Sequence, residues 1–165
     1  RSFDLFCIAQ EVAEGMRYLH AMGVLHRDLK STNILLDVSG HVRIVDFGLS
    51  CLAAPGRDMT AETGTYRWMA PEVIRHEPYS AAADVYSYAV VLWELITREQ
   101  PFAGLTPIQA AFAVARQGLR PPLPSGLPPA LAGLVKRCWH ANPALRPSFA
   151  GVCAALPEIK MQLLS

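Results

Sequence analysis

The sequence predicts a mainly α fold with one small β-hairpin near its start, and three patterns carry that prediction. Leu5, Ile8, Val12, Met16 and Leu19 recur at helical spacing. Two short aliphatic runs, residues 34–36 and 42–45, flank the turn-forming Asp37-Val38-Ser39-Gly40. From Ala82 to Thr97 the chain is apolar around most of a helical circumference, as in a buried central helix.

In chain order, residues 4–21 form one amphipathic helix, and Gly23 suits the left-handed conformation that ends it. The hairpin then holds Asn33 at one end and Asp46 at the other. Met69-Ala70-Pro71-Glu72 suits a short helix with Pro in its first turn, and Ser80 is placed to cap the central helix. Thr106-Pro107 opens a further helix that Gly118 ends, and Pro121, Pro122, Pro124, Pro128 and Pro129 make the next connection extended. Residues 130–140 and 148–163 complete the helices, separated by Asn142-Pro143 and Arg146-Pro147. There is no internal repeat, and the Pro-rich stretch reads as a loop inside one domain that spans residues 1–165.

Composition excludes several classes. With 52% hydrophobic residues over 165 positions the chain can bury a globular core. A formal charge of +1 gives no cationic excess for nucleic acid. The apolar runs at residues 85–93 and 103–115 fall short of the roughly 20 residues that span a bilayer. Cys7, Cys51, Cys138 and Cys153 show no paired spacing, so neither a zinc site nor disulfides are predicted, and the expected compartment is intracellular, cytoplasmic. Arg1 in place of Met, with no signal-peptide pattern, makes the chain read as a fragment, a processed product or an incomplete gene model.

One run stands out: His26-Arg27-Asp28-Leu29-Lys30-Ser31-Thr32-Asn33-Ile34-Leu35-Leu36, followed by Asp46-Phe47-Gly48. Beyond it come residues 64–72 (Gly-Thr-Tyr-Arg-Trp-Met-Ala-Pro-Glu), Asp84-Val85-Tyr86-Ser87, Pro101-Phe102 and Arg146-Pro147. In this order and spacing they resemble the eukaryotic protein kinases, specifically the helical C-terminal lobe of a tyrosine-kinase-like serine/threonine kinase of Raf-like or mixed-lineage type. A lone Asp-Phe-Gly would be weak; the ordered set covers nearly the whole chain.

The resemblance implies ATP and Mg²⁺ as cofactors, a protein substrate, and a place in signalling by phosphorylation. Phosphoryl transfer through a loose transition state asks the protein mainly for positioning and charge neutralisation. By resemblance, Asp28 accepts the substrate hydroxyl proton and orients that oxygen, and Lys30 reaches the transferring phosphate. Asn33 and Asp46 offer the hard oxygen ligands that magnesium requires, and Leu35 would form the floor under an adenine ring. Lys30 together with Thr65, which resembles the threonine that bonds the catalytic aspartate, points to Ser/Thr acceptors, with dual specificity as an alternative.

Other matched positions resemble scaffolding. His26 and Phe47 are similar to the two C-lobe members of the hydrophobic stack that links kinase lobes. Glu72 and Arg146 resemble the ion pair that anchors the activation segment, and Asp84 the carboxylate that accepts backbone N–H groups of the catalytic loop. His20, His41, His76 and His140 have no ligand spacing and are expected at the surface or at helix ends. Arg27 resembles the arginine of kinases whose activation loop is ordered by phosphorylation. The loop of residues 49–63 offers Ser50, Thr60 and Thr63, and Thr60 or Thr63 is the expected phosphorylated residue.

The departure from the family pattern is large. No Gly-rich loop, strand lysine or helix glutamate precedes residue 26, so the N-terminal β lobe is missing from this chain and is an expected partner. Without that phosphate clamp the chain alone is expected to be inactive or nearly so. Two classes stay open: the catalytic lobe of a serine/threonine kinase, or a non-catalytic kinase-like lobe kept as a binding or scaffolding module.

Overall fold

The computed structural model describes residues 4–46, 51–52 and 63–165. Phe47, Gly48, Ser50 and Thr60 lie outside the described residues, as do the side chains of Cys51 and Thr63.

The first helix, α1 (Leu5–Ala21), opens on Asp4, whose side chain accepts the Phe6 N–H at 3.0 Å, and its buried stripe is Ala9, Val12, Ala13 and Met16. Gly23 follows with φ +75°, reversing the chain into β1 (Val24–Leu25). A 3₁₀ turn, Ser31–Asn33, leads into β2 (Ile34–Leu36), which pairs antiparallel with β3 (Val42–Ile44) in the register Ile34 to Ile44. Asp37 closes this hairpin by accepting the N–H groups of Ser39 and His41. The hairpin lies against α1, where Glu11 takes the His41 ring N–H at 2.8 Å and the Val42 amide at 3.2 Å. The Glu11 carboxylate beside His41 raises its pKa. A second pair, absent from the single-hairpin expectation, joins β1 to β4 (Cys51–Leu52). At two residues per strand it is too short to leave a periodic signal.

A 3₁₀ segment, Thr63–Trp68, runs into α2 (Pro71–Ile74), with Pro in its first turn where a missing N–H costs nothing. The central α3 (Ala82–Thr97) buries Val85, Tyr86, Tyr88, Ala89, Val90, Val91, Leu92 and Trp93. Its cap differs from expectation. Ala81 occupies the capping position with helical dihedrals, while Ser80 Oγ one residue earlier accepts the Ala82 N–H at 3.3 Å. Thr106 and Gln109 form a reciprocal capping box at the start of α4 (Pro107–Gln117), which ends at Gly118 with φ +68°. The Pro-rich connection is tied to the core by Trp93 Nε1, which donates to the Pro122 carbonyl at 2.8 Å. It leads to α5 (Pro129–Cys138), and α6 (Phe149–Leu164) closes the chain.

Helix α3 is the axis of the core: α1 and α5 pack on it, α6 packs on α1, and α4 packs on the Thr63–Trp68 segment and α2. Tyr88 Oη crosses from α3 to donate to the Ala9 carbonyl at 2.9 Å. Pro157 inside α6 cannot donate to the Cys153 carbonyl four residues back, and Gln10 Nε2 of α1 donates to that oxygen instead, at 3.3 Å. Cys7, Cys138 and Cys153 are free thiols. No described helix is long and apolar enough to cross a membrane.

Candidate active site

The run from His26 to Asn33 is not held by a ladder of its own; it hangs from the first turn of α3. Asp84, buried there, accepts the backbone N–H of His26 with Oδ2 (2.9 Å) and that of Arg27 with Oδ1 (3.1 Å). These two bonds fix a sharp bend, since Arg27 carries φ +74°. His26 is completely buried: its Nδ1 accepts the Asp28 N–H at 3.1 Å, so its ring proton sits on Nε2 and points at the Val45 carbonyl, 3.0 Å away. The imidazole thus spans from the loop to the end of β3, and its contacts are those of a strut.

Asp28 projects from this bend with 5% of its surface exposed. Thr65 Oγ1 donates to its Oδ1 at 2.8 Å, and Asn33 Nδ2 donates to its Oδ2 at 3.2 Å and to its main-chain carbonyl at 2.7 Å. Each carboxylate oxygen therefore keeps a lone pair for a further donor. Lys30 Nζ stands 3.9 Å from Asp28 Oδ1 and donates to Thr65 Oγ1 at 3.3 Å, putting a cation beside the carboxylate. Thirty-seven residues of sequence separate Asp28 from Thr65, so the bond between them brings two distant segments into one site.

The hairpin brings Asn33 and Asp46 together through the backbone, because the Val45 N–H donates to the Asn33 carbonyl at 2.8 Å and Asp46 is next along. Asp46 adopts φ +64° and its side chain is exposed. With Asn33 Nδ2 committed to Asp28, the atom Asn33 can offer a cation is its amide oxygen. Two hard oxygen donors from protein, with the remaining positions left to water and phosphate, fit Mg²⁺. No cluster of three or more His, Cys, Asp or Glu that could hold a metal ion occurs among the described residues. Leu35 on β2 is half exposed.

Around this centre are the anchors. Arg146 and Glu72 form a buried bidentate pair at 2.7 and 2.8 Å, and Arg146 also donates to the carbonyls of Ala82 and His140 while lying over the Tyr86 ring. Arg27 has its guanidinium over the Tyr79 ring at 5.8 Å, and its buried Nε finds no partner among the described residues. Several residues that matter here escaped the sequence reading. His20 lies in the last turn of α1, at a helix end as expected, and from there its Nε2 donates to Asp84 Oδ2 at 2.8 Å and its ring meets Phe149 edge-on. Arg67 donates to the carbonyls of Pro101, Phe102 and Leu105. Glu94 joins Ser31 and Trp68. His20 and Glu94 lie at no spacing that periodicity or motif order picks out, and Arg67, though inside the run of residues 64–72, shows its partners only through contacts across the fold.

With the geometry in place, the comparisons are direct. The family model described as protein tyrosine and serine/threonine kinase matches residues 1–156, and the chain belongs to that family. It is 54% identical over 151 residues to the serine/threonine/tyrosine-protein kinase HT1 of Arabidopsis thaliana, covering 92% of this chain and 39% of that protein. It is 50% identical over 156 residues to the serine/threonine-protein kinase STY17 of the same plant, covering 94% and 27%. A probable serine/threonine-protein kinase of Dictyostelium discoideum, drkB, is 44% identical over 152 residues, covering 91% and 22%. The chain thus spans two fifths or less of the length of these curated relatives. The helical architecture with a small antiparallel hairpin is that of a kinase C-terminal lobe, of the tyrosine-kinase-like type.

Proposed function

We propose that this chain is the catalytic C-terminal lobe, residues 1–165, of an intracellular protein kinase that moves the γ-phosphate of ATP to Ser or Thr hydroxyls of a protein substrate. One observation carries the reading: Asp28 is held by Thr65 on one oxygen and Asn33 on the other, with Lys30 bonded to the same threonine. A carboxylate fixed in this way orients an incoming hydroxyl and takes its proton as the oxygen attacks the γ-phosphorus. The new O–P bond forms as the bond to the β,γ-bridging oxygen breaks, and ADP leaves. Lys30 stands where it can neutralise charge on the transferring group. Asn33 and Asp46 are the residues that would hold Mg²⁺, which when bound draws negative charge off the phosphate oxygens. Leu35 supplies an apolar face for the adenine.

The bond between Thr65 and Asp28 supports Ser/Thr acceptors over tyrosine, since it is the threonine–aspartate contact that the resemblance to serine/threonine kinases implies. Arg27, with a buried nitrogen unpartnered among the described residues, supports regulation by phosphate on Thr60 or Thr63. Full activity is expected to need the phosphate clamp of an opposing lobe together with this one.

The test uses the intact protein that contains this chain, with Mg-ATP and one peptide presented with Ser, Thr or Tyr. Transfer to Ser and Thr, reduced by a factor on the order of 10²–10⁴ in Asp28→Asn, is expected. An unchanged rate in Asp28→Asn, or no transfer with binding partners still retained, would leave the scaffolding module as the reading.

A further inference from the structure

We infer that Glu94 is a positioning residue for phosphoryl transfer, locking the loop that carries Lys30 and Asn33 to the segment that carries Thr65. The inference rests on the kinase reading above. Glu94 lies near the end of α3, and its two oxygens go to different segments. Oε2 accepts the Ser31 hydroxyl at 2.7 Å, and Oε1 accepts the Trp68 indole N–H at 2.6 Å. Ser31 is the neighbour of Lys30 and opens the turn that ends in Asn33; Trp68 ends the turn that contains Thr65. The two segments whose meeting defines the site, where Thr65 bonds Asp28 and Lys30, are thereby joined again by a single carboxylate.

The arrangement has a counterpart at the other end of the same helix. Asp84 in the first turn of α3 holds residues 26 and 27, and Glu94, about 15 Å further along the axis at 1.5 Å per residue, holds residue 31. One rigid rod therefore fixes both ends of the stretch between His26 and Asn33. Glu94 sits beside an apolar hollow of about 260 Å³ lined by Ile8, Ile34, Leu36, Val91 and Leu95. Burial there pushes its carboxyl pKa up, against the lowering effect of the Trp68 and Ser31 bonds. A carboxylate kept in such surroundings by two short bonds is costly to place unless those bonds are used. Glu94 touches no reacting atom; it acts through Ser31 and Trp68.

In the intact protein, Glu94→Ala is expected to lower kcat about 10-fold or more, with KM for ATP and for peptide held within about 2-fold. Glu94→Gln can accept from Trp68 and donate to Ser31 Oγ, and is expected to restore kcat to within about 3-fold of the parent. Should Glu94→Ala fail to fold, Ser31→Ala and Trp68→Phe each remove one donor and are expected to lower kcat by about 3-fold or more. An unchanged kcat in the folded variants overturns the inference, as does a rise in peptide KM at constant kcat, which would make Glu94 a substrate contact. If the parent protein transfers no phosphate, that failure belongs to the kinase reading, and amide exchange decides the clamp. Faster exchange of residues 28–33 in Ser31→Ala supports it, and unchanged exchange overturns it.

Discussion

Tyr86 shows how a residue can be placed by its ring and burdened by its hydroxyl. Two guanidinium groups lie over the ring, Arg120 at 5.1 Å and Arg146 at 5.2 Å from its centroid. Its hydroxyl is buried with no partner among the described residues, and burial pushes its pKa up to about 12. A buried donor left unpaired costs about 1–3 kcal/mol. Tyr86→Phe keeps both cation–π contacts and removes the orphan, so a gain of up to about 1 kcal/mol is expected from urea unfolding. A loss of stability would mean that the hydroxyl has a partner that matters. At this same scale the residues of the candidate site could be picked out from the sequence, because Asp28, Lys30 and Asn33 stand within one short run and Asp46 follows at the end of the hairpin. His20 and Glu94 were not legible, since a histidine or glutamate at a helix end looks the same whether it faces solvent or a buried carboxylate or indole.

At the scale of elements, the packing of α1 on α6 contains a substituted bond. Proline at position 157 removes the helical donor for the Cys153 carbonyl, and Gln10 supplies another from the neighbouring helix. Gln10→Ala is expected to cost about 1 kcal/mol, the net worth of a part-buried hydrogen bond. Pro157→Ala restores the intrahelical donor, and in that background Gln10→Ala should cost markedly less. Equal costs in the two backgrounds of this double-mutant cycle would show that Gln10 acts independently of the proline. The helices themselves were well marked in sequence by apolar spacing and by Thr106, Pro107 and Gly118 at the bounds of α4. The pairing of β1 with β4 was not, because a two-residue strand has no period to read and its partner lies far along the chain.

For the whole molecule, α3 is the axis of the core: it is apolar on nearly all sides, and polar side chains at its two ends, Asp84 and Glu94, reach the segments of the candidate site. The sequence could announce such a helix as buried, but not which loops its rare polar groups would hold. The remaining long tie, between Glu72 and Arg146, has a consequence in time. Its partners are 74 residues apart, so closing the pair early would carry the loop entropy of the whole stretch that holds α3, α4 and α5, and the pair is expected to close late. An interaction that closes late is expected to contribute little to the folding transition state and to act mainly on unfolding. Glu72→Gln strands a buried guanidinium at a cost of about 3–5 kcal/mol, and nearly all of it is expected in the unfolding limb of a chevron plot. Unfolding would then accelerate about 100-fold or more while the refolding rate hardly moves, so that this pair governs how long the lobe stays folded once it has formed.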